Sequence, residues 1–484
     1  MHAAKFAVFC LIAAPQLQPA EIPVRVLEDK IRGGLLGQIL GDLNGLPHEM
    51  KYIAEPGNVT EYLPSLPDGA WTDDDTDVEW VYVLEMERSR TLLLSPQRIR
   101  ELWTAHIRRR IWCSNQYARV LMELRFEPPL TGHSAINPWA DFNLSGQFLS
   151  ETWGLISPGM PQTAARMALH YTRVGVDLEP LQSAQLFSAM IATAFFTSDL
   201  EAIVNAGVTA LDPKSRMRAV VDDVRRWSRE LPHDWHQTRA RIQRKYSIAS
   251  GAMRDRNGVE LNGASAVAAL LYGRGDFVQT AIHAFNFGWD ADNNAAMAST
   301  ITGLIKGNAW MSAQGWKIRD VFRNTSRDDM PDDETITRFG DRLIRLADQV
   351  ILEHGGGKTR RGGELVYHIK TEQPANIAPL PDAASGVASL RSQLLPSMEK
   401  TIASGKDDKA LARSAYLAIC LDAAAQIRQR SPAGWDKAVA ALNGHPRMLQ
   451  AIFYYSDTPA GSTLRQRALA AGLRRPDRKE PLWR

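Results

Sequence analysis

Four aspartates, Asp73, Asp74, Asp75 and Asp77, fall within five positions of the segment GAWTDDDTDVEW, beside the hydroxyls of Thr72 and Thr76. Carboxylates this dense repel one another unless a cation neutralises them. Hard divalent cations accept both carboxylate and hydroxyl oxygens as ligands. Apolar periodicity begins directly afterwards, so the cluster sits at a helix N-terminus, where acids also serve as caps and suit the dipole. One or two aspartates meet that need; four exceed it. A second acidic pair, Asp290 and Asp292, stands in FNFGWDADNNAAMASTITGLIKG, followed by Asn293 and Asn294. Residues two apart do not share a helix face, so the pair needs a turn to converge on one ion, and Gly288 permits one. The segment GDLNGLPHEM adds Asp42 and Glu49 around a Gly-Leu-Pro turn that stops a helix. Helical folds place metal sites where such carboxylate-bearing ends converge.

The elements that must position these acids are helices. Ile31, Leu35, Leu36, Ile39, Leu40 and Leu43 recur at helical spacing. Gly33, Gly34, Gly37 and Gly41 lie in the same stretch, and glycines in so periodic a segment predict close packing against a neighbouring backbone. Further helices are predicted over 78–90, 162–174, 180–196, 215–231, 264–271, 293–306 and 335–353. Strand patterns are scarce, with 363–371 the best candidate. The expected class is all-α. A proline- and alanine-rich stretch, 372–386, reads as a linker between a catalytic domain over 21–371 and a C-terminal helical accessory region over 387–484.

Together the three acidic segments resemble the ADP-ribosylglycohydrolase family, the relatives of the dinitrogenase reductase-activating glycohydrolase. That family has a glycine-rich first helix ending in G-D-x-x-G-x-x-x-E, then T-D-D-T, then G-G-D-x-D-T before a small-residue helix. The counterparts are Gly41-Asp42…Gly45…Glu49, Thr72-Asp73-Asp74 and Gly288-Trp289-Asp290-Ala291-Asp292-Asn293. The resemblance implies an all-α core around a di-metal site holding two magnesium ions, with manganese as a substitute. It makes Thr72, Asp73, Asp74, Asp290 and Asp292 metal ligands and sets Glu49 at the substrate ribose or water as acid or base. The reaction it implies is hydrolysis of a glycosidic bond of an ADP-ribosyl group on a small molecule or a polymer.

The departures carry their own expectations. Asp75 stands where the family has threonine, which makes it a further candidate ligand. Asn293 replaces the last threonine of the second motif, and an amide oxygen still suits a hard cation. Trp289 replaces a glycine, and its indole is expected to line a reshaped substrate pocket, favouring a sugar or glycan other than ADP-ribose. Glu49, or a first-cluster aspartate such as Asp74, is the expected activator of water. Trp139 and Trp153 are further candidates for stacking on a sugar, against the commoner role of tryptophan in a core. The rival reading is a non-catalytic relative that binds metal or carbohydrate.

Composition narrows the rest. Hydrophobic residues make up 44% and charged residues 23% of the 484, ordinary globular values. A net charge of +3 gives no electrostatic footprint for nucleic acid, and the run Arg108-Arg109-Arg110 reads as a solvated helix face. Residues 1–20 read as an export signal, with Lys5 before an apolar stretch too short to span a bilayer. The protein is therefore expected to be secreted or periplasmic, without membrane insertion. Cys113 and Cys420 read as two buried free thiols, a pair in an oxidising compartment being the alternative, with no zinc motif around either.

Overall fold

The glycine spacing of the first helix decides what it packs against. In the computed structural model, which describes residues 20–248 and 252–483, that helix spans Val24–Gly45 and crosses the helix Ala291–Lys306. A Cβ on Gly37 or Gly41 would overlap the carbonyl oxygens of Ser299 and Ala295. The partner supplies its own small surface through Ala295, Ala296, Ser299 and Gly303. Two small stripes thus bring the backbones together, as the sequence predicts. The crossing also sets a register at the helix ends. Gly45 meets Asp292 backbone to backbone, so the end of the first helix lies on the start of the other.

Around this pair the chain is all-α, with helices that include Asp74–Ser89, Cys113–Glu123, Pro161–Thr172, Glu179–Ala194, Trp235–Tyr246, Val259–Gly273, Phe277–Phe287 and Ile336–Glu353. The predicted helices are present, some longer than their apolar pattern, as with Val259–Gly273 against 264–271. The predicted strand is Glu364–Ile369, which pairs antiparallel with Ala20–Pro23 and Gly357–Arg361. A second, parallel pair, Ala70–Trp71 with Phe322–Arg323, anchors the start of the acidic segment. The Arg108–Arg110 run is not a helix face. It forms an irregular turn after the helix Pro96–His106, and Arg108 pairs with Asp328 at 2.7 Å.

Of the expected linker, residues 372–382 run without regular structure along the helices Pro161–Thr172 and Glu179–Ala194, and its last residues open the helix that begins at Ala383. Gln185 Oε1 accepts from the backbone amides of Ile377 and Ala378, both at 3.1 Å, and Asp212 accepts from that of Leu380 at 2.9 Å. The C-terminal helices share one apolar core with the helix Cys113–Glu123 and the segment after it, through Tyr117, Leu121, Phe126 and Tyr416. Cys113 and Cys420 are both free. Most of the expected export signal lies outside the described residues. Among the described residues no helix is long and apolar enough to cross a membrane.

Candidate metal centre

Each acid reaches the centre by a separate local device. Asp42 rides on the last turns of the first helix, carried inward by the glycine crossing. Glu49 follows the short 3-10 turn Leu46–His48. Its loop is tied to the second acidic motif by paired backbone bonds: Met50 N–H donates to the Trp289 carbonyl at 2.8 Å, and Trp289 N–H to the Tyr52 carbonyl at 3.1 Å. Asp73 precedes the helix Asp74–Ser89, and Asp290 precedes Ala291–Lys306, yet neither side chain caps its helix. The simple capping explanation therefore fails at both motifs. Gly288 and Trp289 both take positive φ, +78° and +55°, and this turn aims Asp290 and Asp292 to one side.

The result is two carboxylate groups that share a member. Asp42, Asp73, Asp75 and Asp292 present oxygens all within 4.8 Å of one another, and so do Glu49, Asp290 and Asp292. Asp292 belongs to both. Glu49, Asp73, Asp75, Asp290 and Asp292 line a cavity of about 430 Å³, with Arg110, Trp112, Asn115, Phe148, Arg256 and Asn257 among its walls, and Asp42 lies behind them. Burial holds the carboxyls of Asp42, Asp75 and Asp292 well above the ordinary range, and the neighbouring carboxylates push the same way. Both oxygens of Asp42 and one of Asp292 are buried with no hydrogen-bond partner among the described residues. Buried polar atoms are normally satisfied. An all-oxygen donor set with orphaned, mutually repelling carboxylates fits a pair of hard divalent cations.

Not every expected ligand points at this centre. The Thr72 hydroxyl is consumed by the loop after Phe322–Arg323: it accepts from Thr325 N–H and Ser326 Oγ, both at 2.8 Å, and lies 3.0 Å from Thr325 Oγ1. Asn293 donates through Nδ2 to Asp75 at 2.9 Å, and its Oδ1 accepts from Gln147 at 2.5 Å. Both residues thus orient the acidic turns and leave no free oxygen facing the cavity. Asp74 lines the cavity beside Asp73 but outside both groups.

Trp289 corrects the sequence expectation most plainly. It is 1% exposed and packs in the core, with the Arg239 guanidinium 4.5 Å from its ring centroid. The left-handed turn that aims Asp290 inward sends the preceding side chain away from the cavity. Arg239 in turn donates to the carbonyls of Tyr52, Ile53 and Phe287 at 3.0–3.1 Å, clasping the Glu49 loop to the Asp290 turn. Trp153 is likewise core, stacked on Tyr171. Trp289→Gly should therefore cost about 3 kcal/mol of stability through the cavity it leaves. Its preference among glycosides should match the wild type. Chemical denaturation and a substrate panel check the two halves.

Asp42, a member of the first carboxylate group, and Arg110, Trp112 and Arg256, among the cavity's walls, have no role assigned from the sequence. Asp42 is an acid of the first motif, and its place directly after the glycine Gly41 is the signal it carries. Arg110 was set aside with its run, and Trp112 had no signal. A family model described as ADP-ribosylglycohydrolase matches residues 23–358, a span that holds both carboxylate groups. Among curated proteins, none matches this sequence.

Proposed function

The chain belongs to the ADP-ribosylglycohydrolase family, and from that premise we propose that it hydrolyses the glycosidic bond of an ADP-ribosyl substrate with the help of two magnesium ions. The observation that carries this reading is the shared Asp292. One carboxylate common to two groups suits a pair of cations side by side under a cavity. Asp42, Asp73, Asp75 and Asp292 would hold one ion, and Glu49, Asp290 and Asp292 the other. Bound there, the cations supply Lewis acidity toward sugar hydroxyls and water.

The protein's own groups do the rest. Glu49 is the exposed member of the two groups and faces the cavity, so it is the carboxylate to take the proton of the attacking water. Asp74 lines the cavity beside Asp73 and outside both groups, so it is the carboxyl placed to give a proton to the leaving group. Arg110 and Arg256 bring positive charge to the wall for a diphosphate. Trp289 gave the main ground for a different glycoside, and its place in the core removes that ground. Export to the periplasm or medium remains part of the proposal, supported by residues 1–20.

The test is a screen of ADP-ribosylated peptides and aryl glycosides with magnesium and with chelator. Turnover of an ADP-ribosyl bond that chelator abolishes is the expected result. Binding of metal without hydrolysis of any substrate would leave the non-catalytic reading instead. Glu49→Gln should lower kcat by about 10²–10⁴-fold, the range for a lost general base. Steady-state kinetics at saturating magnesium measures it, and near-normal kcat would remove Glu49 from the chemistry.

A further inference from the structure

Three of the nine large apolar side chains exposed among the described residues share one groove. Trp112, Met253 and Leu469 are 62%, 38% and 54% exposed, and all three line a single groove of about 850 Å³. Solvent-exposed apolar residues are ordinary when scattered, and informative when contiguous. One wall of the groove comes from the segment around Trp112. The other comes from Phe453–Tyr455, the helix Pro459–Ala470 and the tail to Lys479. Trp112, Cys113 and Met253 also line the acidic cavity, so groove and cavity adjoin. The C-terminal wall is fixed in place. Trp139 Nε1 donates to the Tyr455 carbonyl at 2.7 Å, Thr458 to the Pro138 carbonyl at 2.9 Å, and Tyr416 to the Ile136 carbonyl at 2.6 Å.

The chemistry of the groove is amphipathic and positive. Arg475 and Lys479 stand on its rim, each over a tyrosine ring, Tyr454 at 5.1 Å and Tyr455 at 4.7 Å. Neither has a carboxylate partner among the described residues. Arg110 and Arg256 stand on the wall of the acidic cavity, opposite in sign to its carboxylates. Sugar recognition would call for free aromatic faces, but those of the two tyrosines carry cations, and Trp139 and Phe453 are buried. What the groove offers a ligand is aliphatic surface, one indole and three cations, Arg465, Arg475 and Lys479, against the single carboxylate of Asp457.

We propose that this groove, built by the C-terminal helices, binds the leaving-group side of the substrate as an acidic polypeptide segment with apolar side chains, while the glycosyl group lies over the carboxylates. The assignment of the leaving group rests on the glycoside-hydrolase reading of the cavity; the peptide-binding groove does not. Apolar side chains meet Trp112, Met253 and Leu469, and acidic ones meet Arg475 and Lys479.

Binding of a short blocked peptide alternating glutamate and leucine to the full-length protein tests this, by fluorescence anisotropy in chelator so that no turnover intervenes. The peptide should bind, its lysine–leucine counterpart should not, and Leu469→Asp or Lys479→Glu should weaken binding about tenfold or more. Both side chains are exposed, and an unchanged melting temperature shows that each variant folds. Equal binding of the two peptides, wild-type affinity in both variants, or binding of an oligogalacturonate in place of the peptide would overturn the proposal. Magnesium-dependent turnover is measured separately. Peptide binding without turnover removes the catalytic reading and leaves the groove; turnover without peptide binding does the reverse.

Discussion

Asp292→Asn should abolish hydrolysis, lowering kcat by roughly a thousandfold or more, and should remove metal uptake at both carboxylate groups together. The size follows from its position. Asp292 is the acid common to both groups, and Lewis-acid assistance supplies several kcal/mol, at about tenfold in rate per 1.36 kcal/mol. Asp75→Asn touches one group and should spare part of the uptake. Stability separates a ligand from a structural acid. Without metal, Asp292→Asn should melt above the wild type, because it removes one of several buried carboxylates that repel each other. In excess magnesium the order should reverse, since a cation at a hundred times its Kd adds about 2.7 kcal/mol to the wild type alone. Calorimetric titration and melting curves with and without chelator measure both. A variant that keeps its magnesium shift would show that Asp292 does not hold the ions.

Arg327→Ala should lower stability by about 3–5 kcal/mol, the cost of leaving a buried charge without its partner. Arg327 and Asp77 form an ion pair at 2.6 Å with both side chains fully buried. Burial still pushes the Asp77 carboxyl up to about 6 although Arg327 pulls it down, so desolvation is the larger effect there. The pair sits directly behind the acidic turn. Ser326 Oγ lies within hydrogen-bond distance of both Asp77 and Thr72, and Arg327 also donates to the carbonyls of Arg109 at 2.7 Å and Arg110 at 3.2 Å. Losing the guanidinium should therefore loosen Arg110 at the cavity wall as well as destabilise the fold. Arg327→Met combined with Asp77→Asn should recover most of the loss, because no lone buried charge remains. Urea denaturation of the single and double variants decides it. A single variant within about 1 kcal/mol of wild type would show that water reaches Asp77.

How much of this was legible beforehand depended on how local the signal was. The first helix and its partner could be read from apolar spacing and small-residue stripes, because a close helix crossing demands those residues wherever it occurs. The two acidic motifs were legible for a similar reason: carboxylates at that density need neutralising in any environment. Order along the chain then joined them to a family.

Direction was not legible. Trp289 sits beside a ligand candidate in sequence, yet a left-handed turn points its ring into the core under Arg239. Thr72 and Asn293 were read as ligands by position, but partners far along the chain, Thr325, Ser326 and Gln147, claim their oxygens. Arg110 looked like part of a solvated run until Arg327 fixed its turn. The amino-acid sequence by itself determined which residue types were available and which helices would form, since propensity, periodicity and charge density act over a few residues. Tertiary structure decided which carboxylates come together, which side chains face the cavity, and that distant C-terminal helices wall a groove beside it. Those outcomes depend on contacts between segments tens to hundreds of residues apart, and no local pattern encodes them.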